Sequence, residues 1–260
     1  MNKTKIDWCD SSWNPVTGCY HDCKYCYARS IANRFSGNEA TDNIRVELND
    51  RIYSEKSKKA EAYPYGFIPT LHRYKLGEYE KKGGRNIFVC SMADLFGIWV
   101  PDSWIEEVFS ACEKAPQHNY LFLTKNPDRY TELLERGKLV VANNMWYGAS
   151  ATNEKQFELA AKAFSELSCK TKTFLSVEPI LEDITLSKYW DYHMVANLVD
   201  WVIIGAETGH RKDQVIPERD WIRSITFDCY EESIPVFMKS SITDIWGNSL
   251  VQEFPKELLR

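Results

Sequence analysis

Three cysteines near the start of the chain are spaced closely enough to act together. Cys19, Cys23 and Cys26 follow the pattern C-x3-C-x2-C in a sequence of 260 residues that contains eight cysteines. Three thiolates on one curled loop can bind three irons of a cubane [4Fe-4S] cluster, which leaves the fourth iron free to bind a substrate or a cofactor. Gly18 stands directly before the first cysteine and favours the curl that brings the sulfurs together.

A zinc ion is the main alternative occupant of this loop. His21 lies between the first two cysteines and would complete a Cys3His site. Structural zinc sites usually draw two pairs of ligands from separate segments, whereas this loop would crowd all four ligands together, so the spacing favours iron and sulfide. Cysteines without any ligand are the third interpretation. Outside the loop, Cys9 is a candidate redox group or hydrogen-atom donor.

The composition limits the classes of protein to consider. Hydrophobic residues make up 44% of the chain and charged residues 27%, which excludes a disordered chain. The formal net charge of −5 argues against binding nucleic acid by bulk positive charge. The sequence has no apolar run of about 18 residues, and residues 1–10 lack the pattern of a signal peptide. We therefore expect a cytoplasmic protein with no membrane partner.

Short apolar runs alternate with amphipathic stretches through most of the chain. The runs are rich in β-branched and aromatic residues, as is typical of strands covered on both faces. Alternating strands and helices favour parallel strands joined by right-handed crossovers. The predicted strands are 86–91, 120–124, 145–150, 173–177, 201–206 and 235–239, with a possible first strand at 6–10, and the predicted helices are 101–114, 126–136, 153–167 and 218–230.

These elements predict an α/β fold, a full or partial (β/α) barrel of about six or seven parallel strands, with a doubly wound open sheet as the competing architecture. We predict a single domain over residues 1–260, with a basic and aromatic insertion at about residues 38–85. Its part from Arg51 to Arg85 holds nine Lys or Arg and four Glu, a local charge of +5, interleaved with tyrosines. Such a pattern suits a single nucleic acid strand or a flipped base, and it equally suits a solvated excursion on the barrel rim.

Polar side chains recur where the predicted strands end, although the strand interiors are apolar. In parallel α/β folds the C-terminal ends of the strands carry the functional site. Helix capping or loop solvation explains any one such residue, but their repetition at successive strands favours a site. The residues are Ser91, Asp94, Thr124, Lys125, Ser150, Thr152, Glu178, Glu207, Lys239 and Ser240.

The cysteine loop, with the aromatic Tyr25 before its last cysteine, resembles the signature of the radical S-adenosylmethionine superfamily. The segments WNPVTGC at 13–19 and CYA at 26–28 are similar to a phage-associated family of that superfamily, one of poorly characterised function. The barrel also resembles that of spore photoproduct lyase. Further similar segments extend the resemblance over essentially the whole chain: SMADLF at 91–96, LTKNP at 123–127, SVEP at 176–179, GAETG at 205–209 and EFP at 253–255.

The resemblance implies two cofactors, a [4Fe-4S] cluster on Cys19, Cys23 and Cys26 and an S-adenosylmethionine on its open iron. It also implies a role for most of the polar residues at the strand ends. We expect Tyr25 near the adenine of S-adenosylmethionine and Lys125 at its carboxylate. Ser91, Met92 and Asp94 are expected at its amino group, and Ser150, Thr152 or Glu178 at its ribose. The candidates for the catalytic and substrate contacts are Glu207, Lys239 and Cys9.

The leading hypothesis is therefore a radical S-adenosylmethionine enzyme. An electron from a flavodoxin- or ferredoxin-like donor would cleave S-adenosylmethionine reductively, and the resulting 5′-deoxyadenosyl radical would abstract hydrogen from the substrate. A nucleic acid base or nucleotide, for modification or repair, is the preferred substrate, and a peptide or small metabolite is the enzymatic alternative. The alternative from another class is a non-catalytic zinc-binding interaction module.

Overall fold

The computed structural model describes residues 4–37, 41–167, 169–186, 198–209 and 211–259. The strands in this part are β1 (Ser11–Trp13), β2 (Val16–Thr17), β3 (Val46–Leu48), β4 (Thr70–His72), β5 (Asn86–Val89), β6 (Asn119–Thr124), β7 (Met145–Ser150), β8 (Lys172–Val177), β9 (Trp201–Ile204) and β10 (Val236–Met238). Seven of them form one parallel sheet in the order β1-β5-β6-β7-β8-β9-β10. The other three form a small sheet in the order β2-β4-β3.

The main sheet curls into an α/β partial barrel, which confirms the predicted fold class. Each strand from β5 to β10 lies at a predicted apolar run, because these strands are buried on both faces. The predicted first strand at 6–10 is wrong, since the first strand is β1. Trp8 packs into the barrel interior, and Asp10 bonds with Asn86 through its backbone N–H and its carboxylate, so this segment approaches β5 without forming a ladder.

The predicted helices are present within two residues at each end, and their capping signals act as expected. The Asn153 side chain accepts a hydrogen bond from the Gln156 N–H at 2.9 Å, which caps the third predicted helix. Gly137 follows the second in the left-handed region, with φ of 66°. Within the described part of the chain, none of the helices combines the length and apolar character needed to cross a membrane. The helices are α1 (Tyr27–Arg34), α2 (Asp102–Glu113), α3 (Asp128–Glu135), α4 (Glu154–Leu167), α5 (Arg219–Glu231) and α6 (Thr243–Trp246).

Alternate side chains of the main sheet face two separate cores. One face packs against the helices, and the other fills the barrel interior with aromatic rings. Gly148 of β7 makes room for this interior, because a Cβ there would lie 2.3 Å from the Phe174 ring. The buried interior residues are Trp8, Phe88, Leu121, Trp146, Phe174, Trp201, Ile203, Phe237 and Leu258.

Segments outside the strands cover the open parts of the barrel. Before β1, Asp7 reaches the opposite edge of the sheet and accepts hydrogen bonds from the N–H and hydroxyl of Ser240, just after β10. Residues 253–258 cross beneath the N-terminal ends of the strands. There the side chains of Asn86, Asn119 and Trp201 donate to the carbonyls of Leu258, Glu257 and Glu253, respectively.

Residues 41–85, most of the predicted insertion, cover the β1 edge of the main sheet. The Trp13 indole donates to the Lys75 carbonyl at 2.9 Å, and the Tyr79 hydroxyl donates to the Ser12 carbonyl at 3.0 Å. An edge strand exposes unpaired backbone groups, so such a cover protects the sheet from edge-to-edge association.

Several basic side chains of this segment have partners within the protein. Arg73 binds Glu107 through two hydrogen bonds of 2.8 and 2.9 Å and also pairs with Glu47. Arg51 and Lys75 both lie over the Tyr74 ring. Nucleic acid binding by this segment therefore stays a prediction, and the structure supplies an architectural role for several of its cations.

Candidate functional site

A cavity of about 230 Å³ opens at the C-terminal ends of the main-sheet strands. Trp8, Phe88 and Leu123 form its apolar floor, above the aromatic interior of the barrel. All three cysteines of the C-x3-C-x2-C loop line the cavity, as do charged side chains that follow β5, β6, β8, β9 and β10. The strand ends and the cysteine loop therefore meet around one cavity.

The start of the cysteine loop is held by backbone contacts that require glycine. Gly18 has φ of 86°, and a Cβ there would lie 2.4 Å from the Ile68 carbonyl oxygen. Its N–H donates to the Met92 carbonyl at 2.9 Å, and the next N–H, of Cys19, donates to the Phe67 carbonyl at 3.2 Å. These bonds place the first cysteine beside the residues that follow β5.

The loop ends in α1, a helix that the sequence analysis did not predict. Cys26 is its N-cap, with its sulfur accepting the Arg29 N–H at 3.3 Å. A cysteine replaces the usual Ser, Thr, Asp or Asn at this position, so the ordinary capping signal is missing. The i, i+4 spacing of the buried Ala28 and Ala32 is the signal that remains.

The protonation state of the cysteine thiols affects their ability to bind a metal. Burial raises the pKa of Cys19 to about 12 and also raises the pKa of Cys23. Both are therefore favoured as neutral thiols, and a metal centre that binds them as thiolates must displace their protons.

The three cysteines of the loop are the predicted ligands of a metal centre. Among the described residues, no three His, Cys, Asp or Glu side chains converge as a site for one metal ion. In a cubane cluster each thiolate binds a different iron, so the sulfurs need not meet at one point. A [4Fe-4S] cluster on the three cysteines of the loop stays a prediction.

Asp94 is the most heavily hydrogen-bonded side chain of the cavity. Its Oδ1 accepts from the Phe96 N–H at 3.0 Å and from the Thr124 hydroxyl at 2.7 Å. Its Oδ2 accepts from the Lys125 N–H at 2.9 Å and lies 2.7 Å from His21 Nε2. Because a carboxylate has about four acceptor sites, these partners occupy its capacity.

Lys125, at the end of β6, extends its ammonium group into the cavity. The Nζ donates to the Tyr25 hydroxyl and to Ser150 Oγ, each at 3.1 Å. It also lies 5.4 Å from the centre of the Tyr25 ring. One cation thus connects the cysteine loop, the end of β6 and the end of β7.

An ion pair between Glu178 and Lys239 joins the ends of β8 and β10. Gly205, just after β9, leaves space for it, because a Cβ there would lie 3.1 Å from Lys239 Cδ and 3.4 Å from Glu178 Cδ. Nearby, burial and then the Glu178 charge raise the pKa of Tyr27, so its phenol stays protonated and donates to the Ser91 carbonyl at 2.8 Å.

A second ion pair follows β9. The Glu207 side chain is only 2% exposed, and Arg211 Nε and Nη2 each donate to one of its oxygens at 2.8 Å. A bidentate cation of this kind compensates the burial of a carboxylate. The two acids and two bases of these pairs therefore balance in charge.

The structure brings most of the predicted site residues to the cavity and leaves four outside its lining. Met92 packs against the cysteine loop with Ala28 and Phe67. The Thr152 hydroxyl donates to Gln156 at 2.9 Å, in α4. Cys9 packs against the aromatic interior, where burial raises its pKa to about 12. Ser240 instead donates two hydrogen bonds to Asp7. The predicted residues that line the cavity are Cys19, Cys23, Tyr25, Cys26, Ser91, Asp94, Thr124, Lys125, Ser150, Glu178, Glu207 and Lys239.

Three further residues of the site were not predicted. Asn14 Oδ1 accepts from the Ser91 hydroxyl at 3.1 Å and the Met92 N–H at 2.9 Å, which fixes the chain after β5. Its signal was the Asn-Pro pair just before the loop. Tyr27 follows the last cysteine directly, and Arg211 lies four residues after Glu207. Their closeness in sequence to a predicted site residue is the signal that could have identified them.

Comparisons with known proteins agree with this architecture. A family model described as "Protein of unknown function (DUF5131)" matches residues 3–255. No curated protein matches the chain. Among solved structures, the chain is similar to "Spore photoproduct lyase complexed with dinucleoside spore photoproduct", with 10% sequence identity and a TM-score of 0.55 over 91% of this chain and 78% of that chain. At this identity the likeness concerns the fold alone.

Proposed function

Since this chain belongs to the family described as protein of unknown function (DUF5131), whose description assigns no reaction, we propose a function from its site. The protein is a radical S-adenosylmethionine enzyme in which Cys19, Cys23 and Cys26 hold a [4Fe-4S] cluster. The observation that carries the proposal is the meeting of these three cysteines with one polar cavity at the C-terminal ends of a parallel sheet.

The residues of the cavity fit this cofactor pair. When bound, the cluster and S-adenosylmethionine supply, by one-electron cleavage, the radical that removes a hydrogen atom from the substrate. Lys125 carries three N–H donors, of which two bind Tyr25 and Ser150, and we assign the third to the carboxylate of S-adenosylmethionine. The apolar floor beneath excludes water from the reacting groups.

We assign the substrate to the end of the cavity formed by Glu178, Glu207 and Lys239. With Arg211 these residues are balanced in charge, which suits an uncharged group with hydrogen-bond donors and acceptors better than a phosphate. A nucleic acid base is such a group, and the similar solved structure is that of a spore photoproduct lyase complexed with a dinucleoside. A peptide amide or a small metabolite is the alternative substrate.

A reductant completes the proposed reaction. Each reductive cleavage of S-adenosylmethionine takes up one electron, so we propose a flavodoxin- or ferredoxin-like partner that delivers it to the cluster. Basic residues at positions 51–85 would then bind phosphates of a longer substrate outside the cavity, while the base enters it.

Anaerobic reconstitution with iron and sulfide tests the proposal. We expect about four irons per chain and formation of 5′-deoxyadenosine from S-adenosylmethionine under a strong reductant. Deuterated nucleosides, single-stranded DNA and RNA then identify the substrate by the transfer of deuterium into 5′-deoxyadenosine. Stoichiometric zinc binding without cleavage of S-adenosylmethionine would overturn the proposal and favour a zinc-binding interaction module.

A further inference from the structure

Each gap between consecutive cysteines contains one side chain that is tied to the end of β6. In the gap from Cys19 to Cys23 this residue is His21, and in the gap from Cys23 to Cys26 it is Tyr25. The first contact runs through Asp94 to the Lys125 backbone, and the second runs directly to the Lys125 side chain. Both gaps therefore depend on one residue at the C-terminal end of a central strand.

The first tether is held from several directions. His21 Nε2 lies 2.7 Å from Asp94 Oδ2 and 3.2 Å from Asn126 Nδ2, and its ring packs edge-on against Trp99 with 4.9 Å between centroids. The Asp94 side chain is itself 7% exposed, so its bond to His21 is shielded from water. This contact fixes the middle of the longer gap.

The second tether fixes the shorter gap through a cation. Lys125 Nζ donates to the Tyr25 hydroxyl while a second bond, to Ser150 Oγ, restrains the same ammonium. Because Ser150 ends β7, the position of Tyr25 is set by two adjacent strands. Hydrogen bonds to a charged donor of this kind are stronger than those between neutral groups.

We propose that Asp94 and Tyr25 are positioning residues that hold the cysteine loop in register with the ends of β6 and β7. Asp94 does this rather than contacting the cofactor's amino group, since its four acceptor sites are already used within the protein. The register of the loop determines where the three thiolates lie relative to Lys125 and the cavity. Its functional role therefore rests on the proposed cluster. The tethers are hydrogen bonds between protein groups, so they can be measured in the iron-free protein.

Hydrogen exchange of the iron-free protein tests the tethers directly. The variants are Asp94→Asn, Tyr25→Phe and the pair together. We expect amides of residues 19–26 to exchange about tenfold faster in each single variant and faster still in the double variant. Amides of the barrel strands and the midpoint of urea unfolding should stay unchanged in Tyr25→Phe, which loses only a hydroxyl.

Iron release from the reconstituted protein gives the second readout. Each single variant should lose iron to a chelator about tenfold faster than the unmodified protein, with an altered electron paramagnetic resonance signal of the reduced cluster. The matched controls are Asp50→Asn and Tyr53→Phe, at exposed positions remote from the loop, which should change neither rate.

The two readouts separate the inference from the function on which it rests. If residues 19–26 exchange at the unmodified rate in Tyr25→Phe and in the double variant, the tethers are refuted, whether or not iron binds. If exchange accelerates but the protein takes up no iron, the tethers stand and the proposed cluster fails.

Discussion

The cavity and the basic segment at residues 51–85 contain the same kinds of side chain and use them differently. Around the cavity, Lys125 and Lys239 extend from the ends of parallel strands into a shared space. In the basic segment, Arg51 and Lys75 lie over one tyrosine ring, and Arg73 is held by carboxylates. Cations and aromatic rings thus build a candidate site in one region and an edge cover in the other.

The difference shows why a local charge is a weak indicator of a binding surface. The segment has a charge of +5 when it is counted along the sequence. Its most strongly bound cation, Arg73, is neutralised by Glu47 of β3 and Glu107 of α2, which lie outside the counted window. Where the charged groups point, and what the fold places opposite them, decides their use.

Loss of a cluster ligand should have the largest effect and should be confined to the cavity. Cys23→Ala removes one of three thiolates, so we expect iron content after reconstitution to fall from about four per chain to background. Cys169→Ala is the matched control, because Cys169 is exposed and outside the loop. Equal iron in the two variants would contradict a special role for the loop.

Removal of a cavity cation should be the next largest effect. Lys239→Met leaves Glu178 without its partner at the substrate end, and we expect hydrogen transfer from substrate to fall about 100-fold with iron content unchanged. Lys56→Met makes the same change at an exposed position of the basic segment and should alter turnover less than twofold. A larger loss of turnover in Lys56→Met than in Lys239→Met would contradict the assignment of the site to the cavity rather than to the basic segment.

His72, in the basic segment, should affect stability and leave the cluster intact. Burial lowers its pKa to about 3, so between about pH 6.5 and pH 3 the unfolded chain binds a proton that the folded chain does not. Stability therefore falls as the pH falls through this window. In His72→Gln this contribution is absent, and the variant should regain about 2 kcal/mol relative to the unmodified protein between pH 7 and pH 5 in urea unfolding. Parallel pH profiles of the two proteins would refute the assignment.

Removal of the best-paired cation of the segment should have the smallest effect. Arg73→Ala should lower the free energy of unfolding by about 1 kcal/mol, because its ion pairs are partly exposed and screened by solvent. Combined with Glu107→Ala, the loss should be less than additive, and iron content should stay constant. A fall in iron in Arg73→Ala would show that the edge cover and the cavity are coupled.

Local sequence patterns predict most of the main sheet and the position of the cysteine loop. Runs such as Trp201–Ile204 are apolar throughout because both faces of the strand are covered, so a short window contains the signal. The cysteine loop can be recognised from a short window of sequence for the same reason, because its three predicted ligands lie close together along the chain. The strand β1 was misplaced because its three residues include two serines and leave almost no pattern.

Contacts between distant segments account for what the sequence did not reveal. Asp94 was recognised as a polar residue after a strand, but its bonds to His21 and Thr124 depend on packing across 73 and 30 residues of chain, respectively. The partners of Arg73 were hidden in the same way. Pairing of this kind is a property of the tertiary fold, and no window of sequence contains it.

The crossing of residues 253–258 beneath the barrel has a consequence for the order of events during synthesis. The cysteine loop is synthesised early, whereas the bond from Asn86 to Leu258 requires 172 residues to be added after Asn86. Until residues 253–258 have been made, they cannot cover the N-terminal ends of the strands. Metal loading by a growing chain would therefore precede closure of the barrel. Measuring metal binding by nascent chains that are stalled before residues 253–258 would separate the two steps.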